Sequence, residues 1–272
     1  MEIIRPVLAL WTWGINSGVS GGMAMRVTLC PLRLGRVLLY AVIGLSLLSF
    51  CLGIVRELTG HGRLMGFGTM FNVAAESNVP TWFSSSMLLL CSILLGVIAA
   101  WKRSAGDRYT RHWQILALAL LFLSADESCS IHETVGGLME RLPSGGLMQL
   151  SWVLPAAVGV CVFGLMYARF MFHLPSSTRR RFLLAALMFG TGSLGLEAVG
   201  GQWRMAHGDG GIPFLLMETT EEFLEMAGVV TLVYALMSYM TVHMEVADIR
   251  IGEEAQPSQA VGTIPTDLSE AA

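Results

Sequence analysis

The stretch "METTEEFLEMAGVVTLVYALM" sets Glu218, Glu221, Glu222 and Glu225 at i, i+3, i+4 and i+7. On a helix that spacing stacks four carboxylates on one face over two turns, and the residues after them are apolar. Three further stretches carry groups of the same kind. "SADESCSIHE" holds Asp126, Glu127, His132 and Glu133; "GLEAVGG" holds Glu197 among glycines; and Glu76 precedes "NVPTWFSSS", which contains Ser84 and Ser85. Carboxylates and an imidazole on facing helices can ligate a metal ion, relay protons or carry a cation.

The elements that must position these groups can be read from composition. Of 272 residues, 54% are hydrophobic and 14% charged, with a mean hydropathy of +0.61. Soluble domains carry about 25% charged residues, so the chain reads as an integral membrane protein, and no basic nucleic-acid footprint is visible. The net charge of -3 says little, because in a membrane protein the position of a charge matters more than the sum.

A membrane helix needs roughly 20 apolar residues. Six such segments are expected, at about 36–55, 82–101, 113–135, 149–172, 182–202 and 214–241, making an all-α polytopic bundle. Acids compromise the third and the sixth. Lys102, Arg103, Arg108 and Arg111 come after the second segment, and Arg179, Arg180 and Arg181 after the fourth. Cytoplasmic loops collect Lys and Arg, so both loops and both termini are expected inside, in the inner membrane of a bacterium. Trp82, Trp152 and Trp203 should mark the outer ends, and Trp101 and Trp113 the inner ends. Residues 1–30 form an N-terminal segment of uncertain status, with Met23 or Met25 as alternative starts; residues 31–245 form the bundle; 246–272 are expected to be a disordered cytoplasmic tail.

With that orientation the acids converge on the outer half. Asp126 and Glu127 lie about 20 Å above Trp113, Glu197 falls at a similar height, and Glu225 is the deepest of the four in the sixth span. Placing an ionisable group at the centre of a membrane helix costs about 3 kcal/mol, so six of them cost on the order of 15 kcal/mol. Protonation, bound cations, a water-filled vestibule or a partner's basic residues could offset that cost.

Helical arithmetic puts Asp126 and Glu133 on one stripe with His132 beside them, while Glu127 is turned about 100° away, towards another helix or a vestibule. The expected metal ligands are therefore Asp126, His132, Glu133, Glu197, Glu222 and Glu225. Glu76, Glu127, Glu218, Glu221, Ser84 and Ser85 are the supporting polar groups. A carboxylate-rich set with one imidazole suits iron or manganese better than a thiolate-type zinc site, although zinc stays open. Such a centre could act on a lipid or other membrane-soluble substrate by oxidation or hydrolysis. Two other classes stay open. The acids could form the path of a cation- or proton-coupled transporter, although "VVTLVYALM" beyond them offers little to conduct. They could also meet a partner's basic residues in an accessory subunit.

The segments "NVPTWFSSS", "SADESCSIHE", "GLEAVGG" and "TTEEFLEMAGVVTLVYAL" resemble those of a group of uncharacterised bacterial multi-pass membrane proteins, from about residue 36 to 243. That resemblance implies a membrane bundle and no particular activity. More weakly, the acid-rich pattern is similar to ceramidase-like membrane metal hydrolases. Those use several intramembrane histidines where this chain offers one, so no residue roles carry over.

Overall fold

The computed structural model describes residues 12–16, 24–28, 30–60, 66–132, 134–135 and 153–244. A short antiparallel hairpin comes first, β1 (Thr12–Asn16) paired with β2 (Ala24–Thr28). The rest is helical: α1 (Pro31–Thr59), the single turn α2 (Phe67–Met70), α3 (Val79–Ser104), α4 (Thr110–Cys129) and α5 (Val153–His173). Then come α6 (Ser176–Gly190), a π-helical turn (Thr191–Leu196) that runs into α7 (Glu197–His207), and α8 (Ile212–His243).

Five stretches are long and apolar enough to cross a bilayer: Pro31–Thr59, Val79–Ser104, Pro155–His173, Ser176–His207 and Ile212–His243. The protein is thus an all-α integral membrane bundle. α4 occupies the place of the expected third span. Its apolar centre is bounded by Arg111 and His112 on one side and by Asp126 and Glu127 on the other, which keeps its hydropathy low.

α4 is held by its neighbour instead. Along the α3–α4 seam Ser92 donates to the Ala117 carbonyl (2.8 Å), and Ser124 donates to the Ser85 carbonyl (2.9 Å). Ser85 Oγ in turn lies 2.6 Å from Ser128 Oγ. In hydrocarbon such hydroxyl contacts are each worth roughly 0.6 kcal/mol, so several are needed to anchor a helix this polar.

α8 is the central helix, packing against α1, α3, α6, the π turn and α7. The fifth span, made of α6, the π turn and α7, lies against α8. Two glycines permit the close approach, one on each side: a Cβ on Gly192 would come within 2.8 Å of the Glu221 carbonyl, and one on Gly228 of α8 within 2.8 Å of the Phe189 nitrogen. The apolar core runs along the lower two thirds of α8 and includes Met226, Val229, Val233 and Leu236. Trp113, expected at the membrane boundary, is buried there (1% exposed), against Phe170 (5.1 Å between centroids) and Tyr239 (5.2 Å). Trp82 is exposed, Trp203 stacks on His207 at 4.2 Å, and Trp152 lies outside the described residues.

Candidate functional site

The loop before α3 is built around Asn78. Its side-chain oxygen accepts from the Thr81 N–H (3.1 Å) and caps α3, while its amide donates to the carbonyls of Asn72 (2.6 Å) and Ala75 (2.8 Å). An Asn cap with both ends of its amide engaged fixes the loop rigidly, and Glu76 rides on it.

α4 does not continue through His132 as expected. It ends at Cys129, because Ser130 adopts a left-handed conformation (φ 53), and a new helical turn that carries His132 starts after it. Asp126 thereby caps this second turn. One carboxylate oxygen accepts from the His132 backbone N–H at 2.8 Å, and the other lies 3.1 Å from His132 Nδ1. The Nε2 edge of the ring faces Glu76, 3.9 Å from Oε1. A carboxylate on one imidazole nitrogen orients the ring and fixes its tautomer, which is the arrangement usual behind metal-bound histidines.

Glu127, expected to turn towards another helix or a vestibule, faces the Ser84 hydroxyl of α3 and lies within electrostatic reach of His132, Glu76 and Asp126. It is also a strong neighbour of Glu222 and Glu225 on α8. Ser85 turns instead into the seam with Ser124 and Ser128, so it ties helices together rather than lining the site.

On α8, Glu222 has Glu225, Glu127, Glu218 and Glu197 as its strongest electrostatic neighbours. Glu225 packs against the π turn, where a Cβ on Gly192 would lie 2.7 Å from its Cγ. Glu221 faces the carboxyl group of Glu197 at the start of α7. The π turn matters here, because the extra residue it inserts rotates the rest of the helix by about 100° and aims Glu197 at α8. Glu218 sits further out, where Arg204 and Arg56 reach it. Arg204 also pairs with Asp209 (3.3 Å), and Arg56 with Glu57 (3.5 Å).

Of the expected ligands, then, Asp126 and His132 are in direct contact, Glu222 and Glu225 neighbour them through Glu127, and Glu197 is reached through Glu221. Glu133 lies outside the described residues. Among the described residues no three His, Cys, Asp or Glu side chains lie close enough together to hold a metal ion. Sequence reasoning misses the roles of Ser124, Ser128 and Gly192; the recurrence of serine at i and i+4 in "SADES" is the available signal for the first two.

Charge is divided between the two ends of the bundle. Besides the acids named above, the carboxylate end holds only Arg56 and Arg204 as basic groups among the described residues. At the other end Arg33 and Arg36 open α1, Lys102 and Arg103 close α3, and Arg108 and Arg111 flank the start of α4. Arg169 closes α5, and Arg179, Arg180 and Arg181 open α6. The one acid described there is Asp107, which takes the Lys102 ammonium at 2.8 Å and the Tyr109 N–H at 2.7 Å. Burial alone would raise the pKa of Asp107, but those two donors outweigh it and hold the carboxyl below its ordinary value.

No curated protein and no solved structure matches the chain, and the weaker likeness to ceramidase-like hydrolases finds no support. One family model matches, over residues 35–239, most of the helical bundle. The chain belongs to the family described as domain of unknown function DUF8692.

Proposed function

We propose that this is a multi-pass protein of the bacterial inner membrane, both termini cytoplasmic, with a cation-binding carboxylate and histidine site on its extracytoplasmic side. The single observation that carries the reading is Asp126 gripping His132 by its backbone and Nδ1 while Nε2 faces Glu76. Around that trio Glu127, Glu222 and Glu225 have other carboxylates as their strongest charged neighbours, apart from His132 itself. Like charges held that close in low dielectric repel strongly, so a cation entering among them gains what their mutual repulsion costs.

The ion suited to oxygen donors and one imidazole is iron, manganese or zinc. Bound there, it would supply Lewis acidity towards a carbonyl or phosphoryl oxygen, or redox chemistry towards a membrane-soluble substrate. The chain's own residues would do the rest: Asp126 keeps the tautomer of His132, Ser84 steadies Glu127, and the apolar body of α8 below Glu225 closes the site from beneath. That dry stretch, with Met226, Val229, Val230 and Val233 all buried, argues for a site that reacts or binds over a path that conducts.

Elemental analysis of detergent-purified protein tests this. Wild type should retain iron, manganese or zinc, and His132→Ala and Glu222→Ala should lose it while remaining folded. A stable wild type without any of them, even after incubation with each, overturns the proposal. Ion-dependent flux in liposomes would replace it with transport.

A further inference from the structure

The basic end of the bundle carries a feature that the carboxylate site does not use. α1 and α6 both start there and flank α8 at Tyr234. A Cβ on Gly35 of α1 would lie 3.5 Å from Tyr234 Cβ, and the Arg181 guanidinium of α6 stands 4.8 Å from the ring centroid. Each helix presents an exposed arginine at the boundary, Arg36 and Arg180. Each arginine is succeeded at i+3, i+4 and i+7 by exposed apolar side chains, namely Leu39, Tyr40 and Ile43 on α1 and Leu183, Leu184 and Leu187 on α6. Asp107 does not neutralise these arginines, being engaged by Lys102 and Tyr109.

Cation first and hydrocarbon-facing surface next is the order of groups met along a phospholipid, from phosphate to acyl chain. The repeat of that order on two helices beside one tyrosine defines a place as well as a charge. We infer that the strip where α1 and α6 flank Tyr234 binds an anionic phospholipid, its phosphate on Arg36, Arg180 and Arg181 and its chains along the leucines of α6. A free phosphate would need only the arginines. So would the acidic stretch that contains Glu253 and Glu254. Neither would occupy the apolar side chains next to the arginines, as the acyl chains of a phospholipid would.

The test is native mass spectrometry of the full chain in detergent, titrated with phosphatidylglycerol or phosphatidylcholine. Wild type should retain phosphatidylglycerol in preference. Arg36→Gln with Arg180→Gln should weaken that retention about thirtyfold, at about fivefold per surface arginine. Leu183→Gln with Leu187→Gln should weaken it as well. Arg103→Gln with Arg108→Gln, equally exposed on the α3–α4 turn, should leave it near wild type. All of these positions are exposed or at the boundary, and unchanged melting temperatures confirm that the variants fold. Equal retention of both lipids, an equal loss in the α3–α4 control, indifference to the leucine substitutions, or displacement by inorganic phosphate each overturns the inference. So does binding that appears only after removal of residues 246–272, which would make that acidic stretch the occupant.

Discussion

Asp126 serves His132 twice, and the two services separate on substitution. In Asp126→Asn the amide oxygen still accepts the backbone N–H, so the turn after Ser130 survives. The amide nitrogen then faces Nδ1 and donates to it, which moves the imidazole proton to Nε2, the edge that looks at Glu76. A protonated Nε2 cannot ligate. Removing such an orienting carboxylate costs about 10- to 100-fold in metal affinity, so Asp126→Asn should melt within a few degrees of wild type yet lose most bound metal in a chelator competition. Wild-type affinity would reduce Asp126 to a cap. At the opposite end, Asp107 governs a pH dependence. Its folded pKa lies below the ordinary 3.8, so its stabilising contribution is complete above about pH 3.8 and drains as the pH falls further. The Lys102–Asp107 pair is largely shielded, and Asp107→Asn should cost about 1 kcal/mol at neutral pH, with the gap to wild type closing on acidification in denaturant titrations.

The elements themselves decide which acids meet, and this is only partly legible in the sequence. Hydropathy finds the long helices within a few residues, since twenty apolar residues in a row allow one reading. It cannot find the two irregularities that aim the site. Ser130 breaks α4 in a left-handed conformation without the glycine or proline that would announce it, so stripe arithmetic through Glu133 assumes a helix that in fact stops at Cys129. The π turn is written in small and apolar residues, "TGSLGL", which read the same to a hydropathy window whether or not a residue is inserted. Of the glycines before and after Glu197, Gly192 marks a close approach to α8 while Gly200 marks none, a difference the sequence does not carry. Gly192→Ala tests that packing: its methyl would press into the Glu225 side chain at 2.7 Å and the Glu221 carbonyl at 2.8 Å. Backbone cannot yield as a side chain does, so the substitution should cost about 1 to 3 kcal/mol in thermal unfolding. Gly200→Ala on α7 meets nothing within 4 Å and should be neutral or stabilising by up to about 1 kcal/mol. Equal effects at both positions would mean that the π turn is not clamped to α8.

At the scale of the whole molecule, the division of charge predicts how the protein sits in its membrane. Loops rich in Lys and Arg are retained on the cytoplasmic side, and carboxylates have little say in the outcome. Among the described residues, the ten basic side chains of one end outweigh Arg56 and Arg204 at the other, so the carboxylates are predicted to be carried outward. Two exposed positions report on this, Ser104 at the end of α3 and Ala74 in the loop that holds Glu76. With the native cysteines replaced by alanine, a membrane-impermeant maleimide should label Ala74→Cys in intact spheroplasts and Ser104→Cys only after permeabilisation. The reverse pattern would put the acids in the cytoplasm and require substrate and ion to come from there. Orientation also decides which metal pool the site meets, because a centre open to the outer face must take its ion from the medium. Metal supplied to washed spheroplasts should thus load the wild-type site without uptake, and loading that depends on import would place His132 on the inner side.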